Sequence, residues 1–276
     1  MPEQLRLMCV LAHPDDESLG NGGMLAKYAA EGVETYLVTA TRGDAGRYRG
    51  HPAGHELHPG SNALAEIRER ELRAAAAVLG VHELSVLDYG DRVLDDADPR
   101  GAIARIAGAV RRVRPHVVLT FGPDGAYGHP DHIAISQFTS AALIAAADPL
   151  FSNGVDAGQQ APHAVSKLYH IAWPDAAWAA YQDAFKKLVS VVDGEERQAV
   201  PWPGWEITTV IDTRDQWEVV WRAVSCHESQ VAGYERLKGL SPEHHEALWG
   251  HQSFYRVFST VNGGRRRETD LFDGLR

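Results

Sequence analysis

The order of apolar segments over the first 150 residues constrains this chain more than any other feature. Residues 5–12 (LRLMCVLA), 34–40 (ETYLVTA), 84–87 and 116–121 (HVVLTF) are short apolar or β-branched runs suited to buried strands. Between them, residues 21–31, ended by Gly32, residues 62–79 (NALAEIRERELRAAAAVL), stopped by Gly80, and residues 102–112 have helical spacing. Residues 131–147 (DHIAISQFTSAALIAAA) add a helix with an acid at its positive end. This alternation predicts an α/β fold, a Rossmann-like and mostly parallel sheet with helices on both faces. Ligands of such sheets bind beyond the carboxyl ends of the strands, so the residues that follow each apolar run are the place to look for chemistry.

The second half is less regular. Residues 168–173 (LYHIAW) and 206–212 (EITTVID) read as strands, residues 176–188 and 215–227 as helices, and residues 151–164 as a loop. The tryptophans, from Trp173 to Trp249, all fall here, which predicts a lid or pocket wall. The expected organisation is one unit over 1–276, with a metal-binding half to residue 150 and a pocket and lid half from 151.

Immediately after the first apolar run comes LAHPDDESLG, which sets His13 beside Asp15, Asp16 and Glu17. A turn with Asp or Ser capping the next helix accounts for part of this. It does not account for successive acids, which repel one another in a partly buried turn unless a cation neutralises them. The run HVVLTF is followed in the same way by GPDGAYGHPDH, which ends on His129, Pro130, Asp131 and His132. Two such turns at the ends of two strands of one sheet can converge, and together they offer His13, Asp16 and His132 as a three-ligand set with an open position for water. The plainer alternative is two independent surface turns.

Composition narrows the choice of partner. The net charge is -10, and no basic cluster occurs before the triplet at 265–267, which reads as a solvated tail, so nucleic acid is disfavoured. Cys9 and Cys226 are far apart and in no CxxC pattern, which points away from disulfides and thiolate metal sites and towards a reducing, cytoplasmic setting. No stretch approaches the roughly 20 apolar residues of a membrane span. Gly20, Gly22 and Gly23 follow the first strand in a GxGG spacing, not GxGxxG, and the acidic turn would repel a pyrophosphate. A dinucleotide site is therefore rejected.

AHPDDE and GHPDH together resemble the paired signature of the LmbE/PIG-L family of zinc-dependent N-acetylglucosaminyl deacetylases, which includes the deacetylases of mycothiol and bacillithiol biosynthesis. TRGDAG (41–46), RERELRAAAAVLG (68–80) and CHESQ (226–230) agree in order and spacing. The resemblance implies a metal-dependent hydrolase that deacetylates an N-acetylglucosamine-type substrate. It implies zinc on His13, Asp16 and His132, with Fe2+ or another divalent metal as the alternative. Asp15 would be the general base, His129 and Tyr127 would stabilise the oxyanion, and Asp131 would orient His129 and support its charged form. Arg68 and Asp91 would bind substrate. The rival activities are an amidase for a larger thiol-sugar conjugate and a metal-containing sugar-binding protein without turnover. Homo-oligomerisation is left open.

The residues also allow other roles for several of these positions. Asp131 suits a helix cap, Tyr127 a packing aromatic, and Arg68 a charged helix face with Arg-Glu pairs. Glu17 suits either a hydrogen bond to the metal site from behind or a helix cap. His227 of CHESQ suits either the pocket or a helix end. The loop at 47–60, with His51, His55 and His58, departs from the family pattern and reads as a surface loop at the mouth of the site.

Overall fold

The computed structural model describes residues 4–152, 160–184, 189–192, 194–231, 235–264 and 266–276. Strands β1 (Arg6–Leu11), β2 (Glu34–Thr41), β3 (Glu83–Tyr89), β4 (Val117–Thr120) and β5 (Lys167–Ile171) pair in parallel. A hairpin, β6 (Val189–Val192) with β7 (Glu195–Gln198), stands apart. The chain then returns as β8 (Thr209–Asp212) and β9 (His251–Ser259), which extend the sheet antiparallel in the order β3-β2-β1-β4-β5-β9-β8.

The helices are α1 (Asp16–Leu19) and α2 (Gly22–Ala30) after β1, α3 (Ser61–Val78) after β2, and α4 (Pro99–Val113) after β3. After β4 come α5 (Gly125–Gly128) and α6 (Pro130–Ala147), and after β5 comes α7 (Asp175–Ala184). Between β8 and β9 lie α8 (Trp217–Cys226), α9 (Glu228–Val231), α10 (Glu235–Lys238) and α11 (Pro242–Trp249). The chain builds outward from β1 first to one side and then to the other, so right-handed crossovers put α2 and α3 on one face and α4 and α6 on the opposite one. Accordingly α4 packs on α6, while α2 and α3 both pack on α8.

With both faces covered, the central strand is apolar without alternation. Leu7 through Leu11 are fully buried, as a doubly covered parallel strand requires. Helix α3 buries Leu64, Leu72 and Ala75 at helical spacing, and Arg68 lies in the same buried stripe. A second apolar cluster, including Trp178, Tyr181, Val224, Leu248 and Trp249, packs against Leu19, Tyr127 and Trp173 and so closes over the carboxyl ends of β1 and β4.

The expected parallel sheet and flanking helices are present. Strand β9 was not anticipated, because HQSFYRVFS has no polar-apolar alternation, although the strand buries only Gln252 and Phe254 on one face. The expected strand at 206–212 begins only at Thr209, after a turn in which the Glu206 N–H donates to the Pro203 carbonyl. Since β5, β8 and β9 belong to the same sheet as β1, the expected halves on either side of residue 150 share one sheet. Residues 185–188 of an expected helix, 153–159 of an expected loop and Arg265 of the basic triplet lie outside the described residues. Among the described residues, no helix is long and apolar enough to cross a membrane.

Candidate metal centre

Strands β1 and β4 are neighbours where the strand order reverses, and their carboxyl ends carry the two histidine-bearing turns. After β1 the chain folds back on the Asp16 carboxylate, whose Oδ2 accepts the N–H groups of Ala12 at 3.2 Å and His13 at 2.7 Å. After β4 a kinked turn leads into α6, with Gly125 at φ 59 and Gly128 at φ 75. A Cβ on Gly125 would stand 2.7 Å from the Ile133 side chain, so the turn needs glycine there for space as well as for backbone. Pro130 opens α6, and His129 caps it by accepting the Asp131 N–H on Nδ1 at 3.2 Å.

These two turns bring His13 Nδ1 to 3.1 Å from His132 Nε2. Asp16 completes a triangle, with Oδ2 3.8 Å from His13 Nδ1 and Oδ1 3.6 Å from His132 Nε2. Donor atoms held at 2.0–2.2 Å by a tetrahedral ion stand about 3.3–3.6 Å apart, so this donor set fits a divalent cation. The far side of His13 is fixed by acids: Nε2 lies 3.0 Å from Asp131 Oδ2 and 3.2 Å from Asp91 Oδ1. Asp131 is fully buried and also accepts the N–H groups of Arg92 at 2.7 Å and Leu94 at 3.1 Å. Asp91 Oδ2 accepts the Ala45 N–H at 3.1 Å. Carboxylates anchored in this way keep the proton on Nε2 and leave the Nδ1 lone pair for a metal.

Among the described residues, the trios whose ligand atoms, one from each residue, lie together within 4.8 Å are His13, His129 and His132, and His13, Asp91 and Asp131; Asp16 is in neither, because its two oxygens each face a different histidine. Both include His13, whose Nδ1 faces His132, and His132 lines a cleft together with Asp15 and Asp16. His51, His55 and His58 belong to neither group. The rings of His51 and His55 stack at 4.2 Å, and His58 Nε2 donates to the Gly46 carbonyl at 3.2 Å.

Charge follows this geometry. Burial alone would lower the His13 pKa, yet hydrogen bonds to Asp131 and Asp91 and the charge of Asp16 raise it to about 10. The surrounding acids thus favour positive charge at this point. Burial raises Asp16 to about 7 against the pull of His13. His132 is held well below its ordinary value and His129 is lowered to about 4, in both cases first by burial and then by the charge of His13. Both rings are neutral near pH 7, the form in which imidazole binds metals.

Asp15 points elsewhere than its neighbour Asp16. Its backbone is left-handed, with φ 101 and ψ -24, and its Oδ2 accepts from Arg68 Nη2 at 3.2 Å. Burial raises its pKa, while Arg68 and then His227 draw it back. Arg68, only 4% exposed, also donates to the carbonyls of Pro14 at 2.5 Å and Gly43 at 2.9 Å. Glu17 is fully buried and bonds His227 Nε2 at 2.7 Å, Ser18 Oγ at 2.5 Å and the Asp15 N–H at 2.9 Å.

Three expected relationships take a different form. Asp131 was expected to orient His129 with its carboxylate and to support a charged ring. Its carboxylate instead bonds His13, and its backbone N–H meets His129, because the first-turn amide of α6 points back at the cap while the side chain turns towards β1. Arg68 and Asp91 were expected at the substrate. Here Arg68 is directed at Asp15 and the loop carbonyls, and Asp91 at His13. Arg68 could have been noticed from its place between Leu64 and Leu72 on the apolar stripe of α3, where a surface arginine does not belong.

Tyr127 lies at the cleft, with its ring 5.8 Å from His129 and 5.4 Å from His132, edge to face in both cases. The rest of the cleft wall, which sequence reasoning did not identify, is formed by Leu19, Phe121, Ala126, Ile171, Trp173 and Tyr181. The cleft has a volume of about 620 Å³ counted together with its opening to solvent, and the Tyr181 hydroxyl is occupied by the Leu19 carbonyl. A region this apolar suits a substrate group without hydroxyls.

Comparison with known proteins agrees with this arrangement. The family model of PIG-L, GlcNAc-PI de-N-acetylase, matches residues 8–143. A 1D-myo-inositol 2-acetamido-2-deoxy-α-D-glucopyranoside deacetylase of Kineococcus radiotolerans is 35% identical over 310 residues, covering 98% of this chain and 83% of the relative. Among solved structures, N,N'-diacetylchitobiose deacetylase of Pyrococcus horikoshii superposes with a TM-score of 0.66 at 22% identity, covering 91% of this chain and 83% of its own. GalB, the 4-carboxy-2-hydroxymuconate hydratase of Pseudomonas putida KT2440, superposes with a TM-score of 0.67 at 18% identity, covering 95% of this chain and 99% of its own. The fold alone therefore does not decide the reaction.

Proposed function

The chain belongs to the GlcNAc-PI de-N-acetylase (PIG-L) family, and on that premise we propose that it is a zinc-dependent deacetylase of an N-acetylglucosaminyl substrate. The glucosaminyl inositol named for its relatives is the first compound to test. The observation that carries the reading is the triangle of His13 Nδ1, Asp16 and His132 Nε2, with sides of 3.1, 3.6 and 3.8 Å, opening on a cleft that Asp15 also lines.

In this reading His13, Asp16 and His132 hold the ion, and Asp131 and Asp91 orient His13. Bound zinc would lower the pKa of a water from 15.7 towards about 7 and polarise the amide carbonyl. Asp15, held by Arg68, takes the proton of the attacking water and returns it to the leaving amine. Its raised pKa suits both transfers better than an ordinary carboxylate would. His129 has Nδ1 engaged by the Asp131 N–H, so its proton sits on Nε2, free to be donated to the developing oxyanion, with the Tyr127 hydroxyl as a second donor. The Asp15–Arg68 contact argues for turnover over sugar binding alone. The free cysteines suit the reducing cytoplasm.

The apolar wall of the cleft favours one extension, hydrolysis of larger amides such as those of thiol-sugar conjugates. Purified protein should hold about one zinc per chain, as one three-ligand site implies, and release acetate with free amine from N-acetylglucosaminyl inositol. Metal-loaded protein that binds these sugars and leaves every acyl group in place would overturn the reading.

A further inference from the structure

Glu17 is the acid of LAHPDDES that serves neither as a ligand nor as the base in the proposed function, and His227 arrives from far along the chain. Their side chains are 0% and 1% exposed, and Glu17 Oε1 meets His227 Nε2 at 2.7 Å across 210 residues. The other oxygen of the same carboxylate, Oε2, accepts the backbone N–H of Asp15 at 2.9 Å. Asp15 has a left-handed backbone, at φ 101, which an L residue adopts only where its surroundings hold it there. That turn sets the direction of the Asp15 side chain relative to Asp16, sending one carboxylate to Arg68 and the other to His13 and His132.

A helix cap does not account for Glu17. Helix α1 has four residues, its cap residue Asp15 has no side-chain cap bond, and a cap needs no buried histidine behind it. The position of His227 is itself determined: its N–H donates to the Val224 carbonyl at 3.1 Å, and its own carbonyl accepts from Gln230 and Val231 at 2.9 Å, where α8 gives way to α9. Ser229 Oγ then bonds Glu71 on α3 at 2.6 Å, one turn after Arg68. CHESQ is thereby tied to the helix that carries Arg68.

The geometry points to Glu17 and His227 as a buried positioning pair for Asp15. The Glu17 carboxylate holds the left-handed turn through the Asp15 amide, His227 fixes that carboxylate, and Arg68 receives the side chain that the turn presents. The pair belongs neither to the metal triangle nor to the lining of the cleft. The inference rests on Asp15 acting as the base, as proposed above.

The test uses zinc-loaded full-length protein with His227→Leu, which keeps bulk and removes the donor, and His227→Gln, which keeps a donor. In His227→Leu, kcat should fall about 10- to 100-fold with KM and zinc content unchanged, the effect expected of a group behind a catalytic residue. His227→Gln should recover most of that loss. A crystal structure of His227→Leu should show Asp15 parted from Arg68 with Asp16 still beside His132. Unchanged kcat, equal losses in both variants, or loss of zinc would each overturn the pairing. If His227→Leu does not fold, Glu17→Gln carries the test: a lowered kcat with Asp15 displaced supports the pairing, and an unmoved Asp15 overturns it. If the wild type hydrolyses no acyl sugar, the proposed function fails, while the position of Asp15 in the variant crystal still decides this inference.

Discussion

His13 Nδ1 lies 3.1 Å from His132 Nε2 although 119 residues separate them, because β1 and β4 are adjacent parallel strands that end at the same edge. Neither histidine makes a site alone, and the predictions begin from their meeting.

Asp15→Asn should leave zinc bound and lower kcat by about 10²- to 10⁴-fold, the usual range for loss of a general base. Activity with elemental analysis of the same sample checks it. Zinc lost together with activity would mean that Asp15 is a ligand.

Asp131→Asn should weaken zinc binding by about 10- to 100-fold, because the acid behind a metal-bound imidazole sets its tautomer and basicity. Competition against a chelator measures this. His13→Ala should bind still less tightly. An Asp131→Asn protein of unchanged zinc affinity but low kcat would return Asp131 to the expected role beside His129.

Gly43→Ala should lower both stability and kcat. A Cβ at residue 43 would stand 2.1 Å from Arg68 Nη1, and the backbone there has φ 67. The guanidinium cannot swing aside freely because Gly43, Pro14 and Asp15 all hold it. The destabilisation should be about 1–3 kcal/mol, the cost of a side chain at a strained backbone position, read by urea unfolding.

Glu268, 3% exposed, is a buried carboxylate whose ionised form the fold stabilises. Its carboxylate accepts from Lys167 Nζ at 2.8 Å, Asn262 Nδ2 at 2.7 Å, Tyr169 Oη at 2.7 Å, Thr209 Oγ1 at 2.8 Å and Arg256 Nη1 at 2.8 Å. Burial opposes ionisation, but these partners bring the pKa down to about 2 from 4.5. A carboxyl lowered on folding stabilises the native state above its unfolded value, and that stability is lost as pH falls from 4.5 towards 2. The Tm of the wild type should therefore fall more steeply through this range than that of Glu268→Gln, by calorimetry. Parallel curves would show that the network does not hold the C-terminal segment.

How much was legible in the sequence differs by element. The strands β1, β2 and β4 are buried on both faces, so their apolar runs have one reading, whereas β9 has an exposed face on which Tyr255 and Val257 leave no polar-apolar alternation. The histidines and acids of the two turns were found because their residue types are unusual directly after a strand. The partners of Arg68, Asp91 and Glu17 were not found: the apolar stripe of α3 marks Arg68 as buried, but no short segment tells which carboxylate or carbonyl a buried charge will meet.

By itself the sequence determined the parallel part of the sheet, the place of the two turns on it, and the donor types they bring, because burial periodicity and ligand chemistry are properties of short segments. Only the tertiary structure decided which side of His13 faces His132 and which faces Asp131 and Asp91, why Asp15 and Asp16 diverge, and that Glu17 ends against His227. Those outcomes depend on contacts between residues up to 210 positions apart, whose energies arise only when the intervening chain has folded.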